Sequence, residues 1–550
     1  MTDKPPPAAD IYTIEPMKKI LLTIICALFL TIWASPGQSE PLANANKDGL
    51  YARSIEYVLR LDEEEVDLGT AALIVSEQWS DMVEGRRYQS DLDNMAREIR
   101  ERLKEKRIPT NYKAVAVIND YLFNELGFKA ISDANDPNDL FLHTVMDKKQ
   151  GYCLSLSVLY LSIGERLGLP LYGVVVPGHF FVRYDDGRTR FNIETTSKGG
   201  YADDEHYINE FKVPKVNGSI YMTNLNKIQT LGCFFNNLGN SYNKVGDTGQ
   251  ATLAFERAIE INPSLAESHV NLGNIYLEKD KIRDAIREYE DALEIDPGNS
   301  KPHNNLGNAY IKQGRFSEAA LHYTRAIELE PNYIDAYKNL ATVYCEQEKF
   351  GRAASQLRQA IFIEPQDPNL HKQLGDVYRR MDDYVKGIFQ YKKALEIKRN
   401  FAEAYYGLAL CYNKTDSTDD EIQAYKKALA IKPDMVAALV GLGNVYFKKQ
   451  DYGAAIEQYK KASLITPGDN TIHYNLGAAY SNEGQYKQAA IEYEKAIEIA
   501  PKMGDAHKGL AYALYRLEKY NLAWQHLKTA EELGVEVPKD LRAAIEHELK

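Results

Sequence analysis

One residue type recurs at a fixed interval through the C-terminal half of this chain. Proline stands at 34-residue steps, apart from one double step in which Arg399 fills the missing place: Pro263, Pro297, Pro331, Pro365, Pro433, Pro467 and Pro501. A period between about 20 and 50 residues is typical of a solenoid, whose units each bury an apolar face against the next unit. The spacing therefore predicts a stack of similar units in place of a single globular core.

Each period contains residues suited to a pair of packed helices. The unit that ends at Pro297 carries two sets at helical spacing: Leu272, Gly273 and Tyr276, then Ala285, Tyr289 and Ala292. Small residues let paired helices approach closely, while leucine and tyrosine fill the seam between them. In spacing and residue type the pattern resembles the tetratricopeptide repeat (TPR). The resemblance covers residues 232–530 as nine units, and residues 531–550 are expected to form a polar capping helix.

Two units depart from this pattern at the small residue of the second helix. Gly387 in the fifth unit and Glu421 in the sixth replace the usual alanine. Glu421 also follows the polar run TDSTDD, residues 415–420. We therefore expect looser packing in the sixth unit than elsewhere in the array.

The TPR resemblance implies a groove, lined by the first helix of each unit, that binds a protein or peptide partner. Asparagine recurs at two positions of that helix: Asn237, Asn271, Asn305 and Asn339 at one, and Asn240, Asn274, Asn308 and Asn444 at the other. A ladder of side-chain amides matches the donors and acceptors of an extended peptide backbone. The alternative is that asparagine is a common filler at these positions, hydrogen-bonded only to water.

The N-terminal residues predict export. The segment MKKILLTIICALFLTIWASPGQSE, which begins at Met17, has a basic head, an apolar run and then small residues, in the order of a secretory signal. The apolar run is shorter than the roughly 20 residues of a membrane span, and an uncleaved anchor is the alternative. Residues 1–40 are thus interpreted as an extension with a signal peptide or anchor, which makes the protein periplasmic or anchored to the outer face of the inner membrane.

Charge and cysteine content exclude several classes of function. The net charge of −12 and the lack of a basic stripe argue against a nucleic-acid partner. The five cysteines are widely scattered, which fits neither a disulfide framework nor the short ligand spacing of a zinc site. We therefore expect neither a metal nor another cofactor. If a metal is bound, Cys153, His179 and His206 with nearby acids are the candidate ligands.

The segment before the repeats contains a cysteine in an unusual place. The run CLSLSVLYLSIGERLG predicts a helix that begins at or just before Cys153 and ends at Gly168. Unpaired backbone N–H groups and the helix dipole favour a thiolate at such a position. A cysteine that serves only the core could lie anywhere along the apolar stripe of the helix, and most isolated cysteines are structural.

A hairpin that follows this helix pairs a histidine with an acid. Asp186-Gly187 is a strong two-residue turn signal between alternating runs. With those two residues as the loop, Asp185 pairs with Arg188 and His179 lies opposite Glu194. Opposed residues on one face of a sheet are about 5 Å apart, within reach of a hydrogen bond. The same register places Phe181 opposite Asn192, while Phe180, Val182 and Tyr184 belong to the other, apolar face.

A cysteine at a helix start, a histidine on a later strand and an acid on the next strand follow the order of the transglutaminase-like, papain-like arrangement. The residues GYCLSLSVLY, VPGHFFVRY and NIETT resemble a bacterial transglutaminase-like core, over roughly residues 50–215. The resemblance implies an α+β domain over residues 49–220, followed by the all-α TPR solenoid. It also implies Cys153 as nucleophile, His179 as general base and Glu194 as the residue that orients His179.

Two features of the resemblance leave alternatives open. The family usually has aspartate where this chain has Glu194, and Asn192 is the other candidate for orienting His179. Relatives of this core that lack the cysteine imply that the fold alone does not guarantee chemistry. The predicted function is therefore cleavage or acyl transfer at an amide bond of a peptide or protein, with the repeats recruiting substrate or partner. The alternative is a non-catalytic interaction scaffold.

Overall fold

The computed structural model describes residues 54–79, 82–132, 136–213 and 220–550. The segment interpreted as a signal peptide or anchor, residues 1–40, lies outside these ranges. Within them, no helix is both long enough and apolar enough to cross a membrane. The chain divides into two compact units: the first runs to Val213 and includes Tyr221–Ser241, and the second holds Tyr242–Lys550.

The first unit combines helices with a small sheet. Its helices are α1 (Ile55–Val58), α2 (Leu68–Trp79), α3 (Gly85–Glu105), α4 (Ala114–Asn119), α5 (Leu142–Lys148), α6 (Cys153–Leu167) and α7 (Asp204–Glu210). Its strands are β1 (Lys129–Ala130), β2 (Gln150–Gly151), β3 (Leu171–Val176), β4 (His179–Asp185), β5 (Arg190–Glu194) and β6 (Gly200–Ala202). Strands β3 to β6 form an antiparallel meander, and β1 pairs with β2 in parallel. Helices that pack beside an antiparallel sheet confirm the predicted α+β fold.

Helix α6 lies at the centre of this unit because nearly all of its side chains are apolar or small. Leu154, Leu159 and Ile163 are at most 1% exposed. The helix packs against α2, α3, β3 and β4. Gly168 ends it with a φ of +73°, the left-handed conformation that glycine adopts without strain. Burial of the whole helix fixes its first residue, Cys153, next to the sheet.

Helices then follow in pairs to the end of the chain. They are α8 (Lys227–Lys244), α9 (Thr248–Ile261), α10 (Ala266–Glu278), α11 (Ile282–Ile295), α12 (Ser300–Lys312), α13 (Phe316–Leu329), α14 (Ile334–Glu346), α15 (Phe350–Ile363), α16 (Pro368–Arg380), α17 (Tyr384–Ile397), α18 (Ala402–Lys414), α19 (Thr418–Ile431), α20 (Val436–Lys448), α21 (Tyr452–Ile465), α22 (Asn470–Asn482), α23 (Tyr486–Ile499), α24 (Gly504–Arg516), α25 (Tyr520–Glu532) and α26 (Lys539–Glu548). From α10 onward each helix packs against the next one along the chain. The predicted all-α solenoid is confirmed.

Equivalent residues of successive repeats occupy equivalent buried places. The rings of Tyr289 and Tyr323 are fully buried against the first helix of their own pair. A Cβ atom added at Gly273 would lie 2.6 Å from the Tyr289 ring, and one at Gly307 would lie 2.5 Å from the Tyr323 ring. Glycine is therefore needed where each tyrosine crosses the first helix, which explains its recurrence at this position.

Candidate active site

Cys153 is the first residue of α6, as the sequence predicts, and its backbone is tied to the sheet. The N–H of Tyr152, just before the helix, donates to Ser155 Oγ at 2.8 Å. The Thr195 hydroxyl donates to the Cys153 carbonyl at 3.4 Å and lies 2.9 Å from Ser157 Oγ. Because Thr195 directly follows Glu194, these contacts hold the start of α6 close to the end of β5. The cysteine itself is half-buried.

A tight turn places His179 at the first position of β4. Val176 pairs with His179, so Pro177 and Gly178 are the only two residues between the strands. Gly178 has a φ of +74°, as the third residue of a type II turn requires, and proline suits the position before it. His179 therefore lies at the end of the sheet, where its ring is 14% exposed.

The register predicted for the β4–β5 hairpin is wrong by two residues. Asp185 pairs with Arg190 instead of Arg188, so four residues, 186–189, form the loop. The Asp186 carboxylate accepts from the N–H groups of Arg188 and Thr189, at 2.9 and 2.6 Å, which stabilises the longer loop. Because a shift of two residues keeps every side chain on its face, His179 and Glu194 still share one face.

His179 and Glu194 meet diagonally across the two strands. Continuing the observed register places Glu194 opposite Phe181, two residues from His179. The longer side chain of glutamate spans this offset, and Oε2 of Glu194 lies 2.7 Å from Nε2 of His179. Cys153 is the other hydrogen-bonding partner of the His179 side chain.

The surroundings of His179 favour its protonated form. Burial by itself lowers the pKa of His179, but hydrogen bonds and charge interactions with Cys153 and Glu194 outweigh burial and raise the pKa to about 9. Burial likewise raises the pKa of Glu194, yet the contact with His179 and two hydrogen bonds from Thr196 hold it below its ordinary value. At neutral pH the site is thus a carboxylate and an imidazolium next to a cysteine.

Two aromatic residues that sequence reasoning missed complete the site. The Tyr207 hydroxyl donates to Oε2 of Glu194 at 3.0 Å. The Phe211 ring stacks on His179, with centroids 4.8 Å apart and 4° between the planes. Tyr207 and Phe211 are four residues apart at the end of α7, so they lie on one face of a turn. That spacing is visible in the sequence YINEF, but nothing in it identifies His179 as the partner.

Asn192, the other candidate for orienting His179, is engaged elsewhere. Its Oδ1 accepts from Nε of the fully buried Arg183 at 2.8 Å, and its Nδ2 donates to Asp204 Oδ1 at 2.8 Å. Arg183 also donates to Asp204 at 2.7 Å. Asn192 therefore belongs to a buried arginine network, and the structure brings Glu194, not Asn192, to His179.

The asparagine ladder is partly used inside the repeats. Asn274, Asn308 and Asn444 accept hydrogen bonds from the buried hydroxyls of Tyr289, Tyr323 and Tyr459, at 2.8, 2.6 and 2.7 Å. Nδ2 of Asn305 donates to Oδ1 of Asn274 at 2.8 Å, and Nδ2 of Asn339 donates to Oδ1 of Asn308 at 3.3 Å. Asn271 is half-buried, while Asn237 and Asn240 belong to the first compact unit. These amides link tyrosines and successive repeats, and their role in peptide binding stays a prediction.

Among the described residues, one group has the composition of a metal site. Ligand atoms of His269, Glu288 and Asp291 lie within 4.8 Å of one another. However, Nδ1 of His269 is hydrogen-bonded to Glu288 at 2.9 Å, and His473 and Glu492 form the same pair at 2.6 Å in a later repeat. The recurrence of this pair identifies it as a packing contact between the two helices of a repeat.

Fold and site together define a mixed α/β unit with a Cys-His-Glu cluster, followed by helical repeats. Residues 86–215 match the family model of the transglutaminase-like superfamily. TPR models match residues 239–280, 273–314, 300–333, 322–354, 372–436, 443–484 and 471–503. The chain thus carries a transglutaminase-like core followed by multiple TPR repeats, as the sequence predicts. Such repeats generally bind proteins or peptides.

Curated relatives match only part of the chain. A UPF0162 protein of Xylella fastidiosa is 34% identical over 131 residues, which are 23% of this chain and 46% of the relative. F-box only protein 21 of Mus musculus is 37% identical over 71 residues, which are 13% of this chain and 11% of the relative. The chain therefore spans less than half the length of these relatives.

Solved structures resemble the chain in part. YrrB, described as a TPR protein with an unusual peptide-binding site, is 24% identical, with a TM-score of 0.31, and the match covers 34% of this chain and 97% of YrrB. A TPR protein of Parabacteroides merdae is 18% identical, with a TM-score of 0.36, and the match covers 46% of this chain and all of that protein. Both of these structures are TPR proteins.

Proposed function

We propose that this protein is a thiol enzyme that cleaves or transfers an amide bond of a peptide or protein, with the repeats recruiting the substrate or a partner. The observation that carries the proposal is the unbroken series of contacts from Cys153 to His179 to Glu194. Oε2 of Glu194 lies 2.7 Å from Nε2 of His179, and Cys153 hydrogen-bonds the same ring. A nucleophile, a base and an orienting group within hydrogen-bond reach are the minimum needed for covalent catalysis.

The chemistry follows from the charge of these groups. The Cys153 sulfur attacks the carbonyl carbon of the amide, and the carbonyl oxygen takes the negative charge. The C–N bond then breaks, and the His179 imidazolium gives its proton to the leaving amine. The resulting thioester is attacked by water or by a second amine while His179 takes up the proton, and Cys153 is regenerated. Water as the attacking group gives hydrolysis, and an amine gives acyl transfer.

The start of α6 supplies hydrogen-bond donors for the oxygen of the tetrahedral intermediate. N–H groups in the first turn of a helix have no acceptor within that helix. The N–H of Cys153 is one of these groups and belongs to the nucleophile itself. A donor preorganised near the developing negative charge contributes more to catalysis than one that must reorient.

Glu194 and its contacts keep His179 in position. The Tyr207 hydroxyl and Thr196 hold the carboxylate, while Phe211 packs flat on the imidazole ring. Tyr207, Thr196 and Phe211 are therefore positioning residues. Their contacts fix the plane of the imidazole ring that hydrogen-bonds Cys153.

We also propose that the protein is exported. Support comes from the basic, apolar and small-residue order of the segment that begins at Met17. Residues 17–40 fused to a reporter that is active only outside the cytoplasm should give reporter activity in a bacterial host. Replacing the central leucines of the run by glutamate should abolish this activity, and a signal that persists in that variant would contradict export.

Site-resolved alkylation tests the thiol assignment. The full chain is treated with iodoacetamide at pH 6, and the extent of labelling at each cysteine is followed by peptide mass spectrometry. Cys153 should react about 100-fold faster than Cys233, Cys345 and Cys411, because a thiolate and not a thiol is the nucleophile. Cys345 and Cys411 are matched internal controls, since burial raises the pKa of both thiols.

His179→Ala supplies the decisive comparison. This variant should reduce Cys153 labelling to the rate of the control cysteines, because the imidazolium that activates the sulfur is removed. Slow labelling of Cys153 that His179→Ala leaves unchanged would contradict the proposal. The first unit would then be a catalytically silent fold in an interaction scaffold.

A further inference from the structure

The sixth repeat has a charged residue at a position where the other repeats have alanine or glycine. A buried position of the second helix recurs every 34 residues and is alanine or glycine in every repeat but the sixth: Ala251, Ala285, Ala319, Ala353, Gly387, Ala455, Ala489 and Ala523. In the sixth repeat the position is Glu421, in α19. Its side chain is as enclosed as the alanines, with the residue 4% exposed. A buried carboxylate at this place is costly unless something compensates its charge.

A cavity lies beside Glu421, between the sixth and seventh repeats. The cavity measures about 690 Å³ and lies among α18, α19 and α20. Its lining includes the apolar and aromatic side chains of Tyr406, Leu410, Val436 and Val440. Glu421 thus forms part of the wall of an open pocket between two repeats. Looser packing of the sixth repeat stays a prediction.

Two polar groups in the pocket wall have no partner in the protein. Oε1 of Glu421 accepts from Asn413 Nδ2 at 3.0 Å, but Oε2 accepts no hydrogen bond from any residue that the structure describes. The Tyr425 hydroxyl has no acceptor among them either, although the residue is only 3% exposed. In four other repeats the equivalent tyrosine donates to an asparagine or aspartate of the first helix: Tyr289, Tyr323, Tyr391 and Tyr459. Leu410 occupies that place in the sixth repeat, so the acceptor is missing, as it also is in the eighth repeat, where Ala478 stands at the place equivalent to Leu410 and the tyrosine is Tyr493.

The charges around the pocket are mostly negative. Asp416 and Asp469 line it together with Glu421, whereas Lys448 is the one basic residue in the lining. Lys448 is exposed and lies beyond ion-pair distance of Glu421, although its charge acts on the carboxylate. Burial raises the pKa of Glu421, while Asn413 and Lys448 partly offset that effect. The carboxylate therefore lacks a counter-charge of its own.

Stabilisation by the helix start does not account for these features together. Glu421 is the fourth residue of α19, where the dipole favours a negative charge. That effect explains neither the unpaired Tyr425 hydroxyl nor the cavity. A cationic group seated between Glu421 and the rings of Tyr406 and Tyr425 supplies the counter-charge and fills the cavity, and it can donate to the oxygen of the Tyr425 hydroxyl. An ammonium or guanidinium pairs with a carboxylate and is attracted to aromatic faces.

We propose that this pocket binds the lysine or arginine side chain of an extended peptide segment in the partner that the repeats recruit. The apolar lining receives the aliphatic stem, and both Oε2 of Glu421 and the oxygen of the Tyr425 hydroxyl accept from the cationic head. The inference rests on the recruiting role in the proposed function and not on the reactivity of Cys153. It assigns the sixth repeat a specificity for cationic side chains that the other repeats lack.

Matched peptides test the assignment. The full chain carrying Cys153→Ala is titrated into fluorescein-labelled heptapeptide pools whose central residue is lysine, arginine or norleucine, with alanine, serine and leucine randomised at the flanks. Fluorescence anisotropy gives the dissociation constants. Lysine and arginine pools should bind about tenfold more tightly than the norleucine pool, because a charge-assisted hydrogen bond is gained at constant stem length. The Cys153→Ala background keeps the result independent of the thiol chemistry.

Three variants identify the site. Glu421→Ala installs the residue of the sibling repeats, so folding is retained, and it should abolish the preference over norleucine. Glu421→Gln keeps the volume and should also abolish it. Glu457→Ala removes an exposed acid outside the pocket and should leave the preference intact.

Several outcomes would overturn the proposal. These are equal binding of the lysine and norleucine pools, no binding of any pool, or a preference that survives Glu421→Ala. Free butylammonium that binds as tightly as the lysine pool would assign the pocket to a small amine and would equally overturn a peptide site.

Discussion

The thiol site and the repeats are built on opposite principles. In the repeats the same contact occurs many times, as in the hydrogen bonds of Tyr289 to Asn274 and of Tyr323 to Asn308. In the thiol site each contact occurs once, between residues of different elements. Oε2 of Glu194 reaches His179 across two strands. Each repeat can therefore be compared with equivalent residues in the other repeats, whereas the thiol site has no equivalent elsewhere in the chain with which to compare it.

This difference decides what a departure from the pattern means. Glu421 stands out because eight siblings show what the position normally holds. The offset between His179 and Glu194 has no such comparison, and only the observed register reveals it. Energetically, stability in the repeats is shared between neighbours, while function in the thiol site depends on single contacts. Four predictions test that contrast.

The largest effect is expected from a core tyrosine of the repeats. Tyr323→Ala removes a fully buried ring that packs on Gly307, which should cost about 3–5 kcal/mol of the free energy of unfolding. Guanidinium unfolding followed by far-UV circular dichroism measures the loss. Tyr323→Phe is the matched control, since it loses only the hydrogen bond to Asn308. The rate of Cys153 labelling should not change in Tyr323→Ala. A slower rate in this variant would show that the thiol site depends on the stability of the repeats.

The next effect concerns a single contact of the thiol site. Glu194→Gln removes the negative charge that raises the pKa of His179 and should slow Cys153 alkylation at pH 6 by about 100-fold. The unfolding midpoint should change little, because Gln retains the size of the side chain. Glu205→Gln, an exposed residue on α7, is the control. An unchanged rate in Glu194→Gln would show that Glu194 does not orient the base.

A smaller effect is expected where the amide ladder links repeats. Asn308→Ala leaves the Tyr323 hydroxyl without its acceptor and removes one of the two acceptors of Nδ2 of Asn339, the other being Oδ1 of Asn304, and it should cost about 1–2 kcal/mol. Asn444→Ala, which deprives only the Tyr459 hydroxyl, should cost less. Urea unfolding of the two variants compares them. Equal losses would mean that the amide contact between repeats contributes nothing.

The smallest effect is a gain in stability. Burial in the folded state raises the pKa of Glu421, so folding favours the protonated carboxyl over the carboxylate. The free energy of unfolding is therefore higher at acid pH, and this contribution is lost as the pH rises through the pKa of the folded state. Glu421→Ala removes this penalty and should stabilise the protein by about 1 kcal/mol at pH 7. The gain should vanish near pH 4. Thermal unfolding at both pH values measures it, and a loss of stability at pH 7 would show that the carboxylate is compensated within the fold.

Most of the fold could be predicted from periodic patterns in the sequence. Spacing of proline, glycine and tyrosine predicted the helix pairs, because each repeat must present the same seam to its neighbours. The position of Cys153 at the start of α6 was also predictable, since helix boundaries depend on local residues such as Gly168. The sequence also placed His179 and Glu194 correctly on one face of the sheet. The hairpin loop is two residues longer than expected, but a register shift of an even number of residues leaves each side chain on its face.

Contacts between distant segments were decided only by the tertiary structure. Tyr207 contacts Glu194, and Phe211 contacts His179, both from the end of α7. No local sequence pattern predicts these two contacts. Asn192 was the second candidate for orienting His179, but in the structure it accepts a hydrogen bond from Arg183 instead. The Tyr425 hydroxyl likewise lacks the acceptor that Tyr289 and Tyr323 have, because Leu410 stands at the equivalent place. The sequence by itself determined periodicity, helix ends and strand faces, which are local properties of the chain. Partners were determined by packing, because which side chains meet depends on how whole elements are held together.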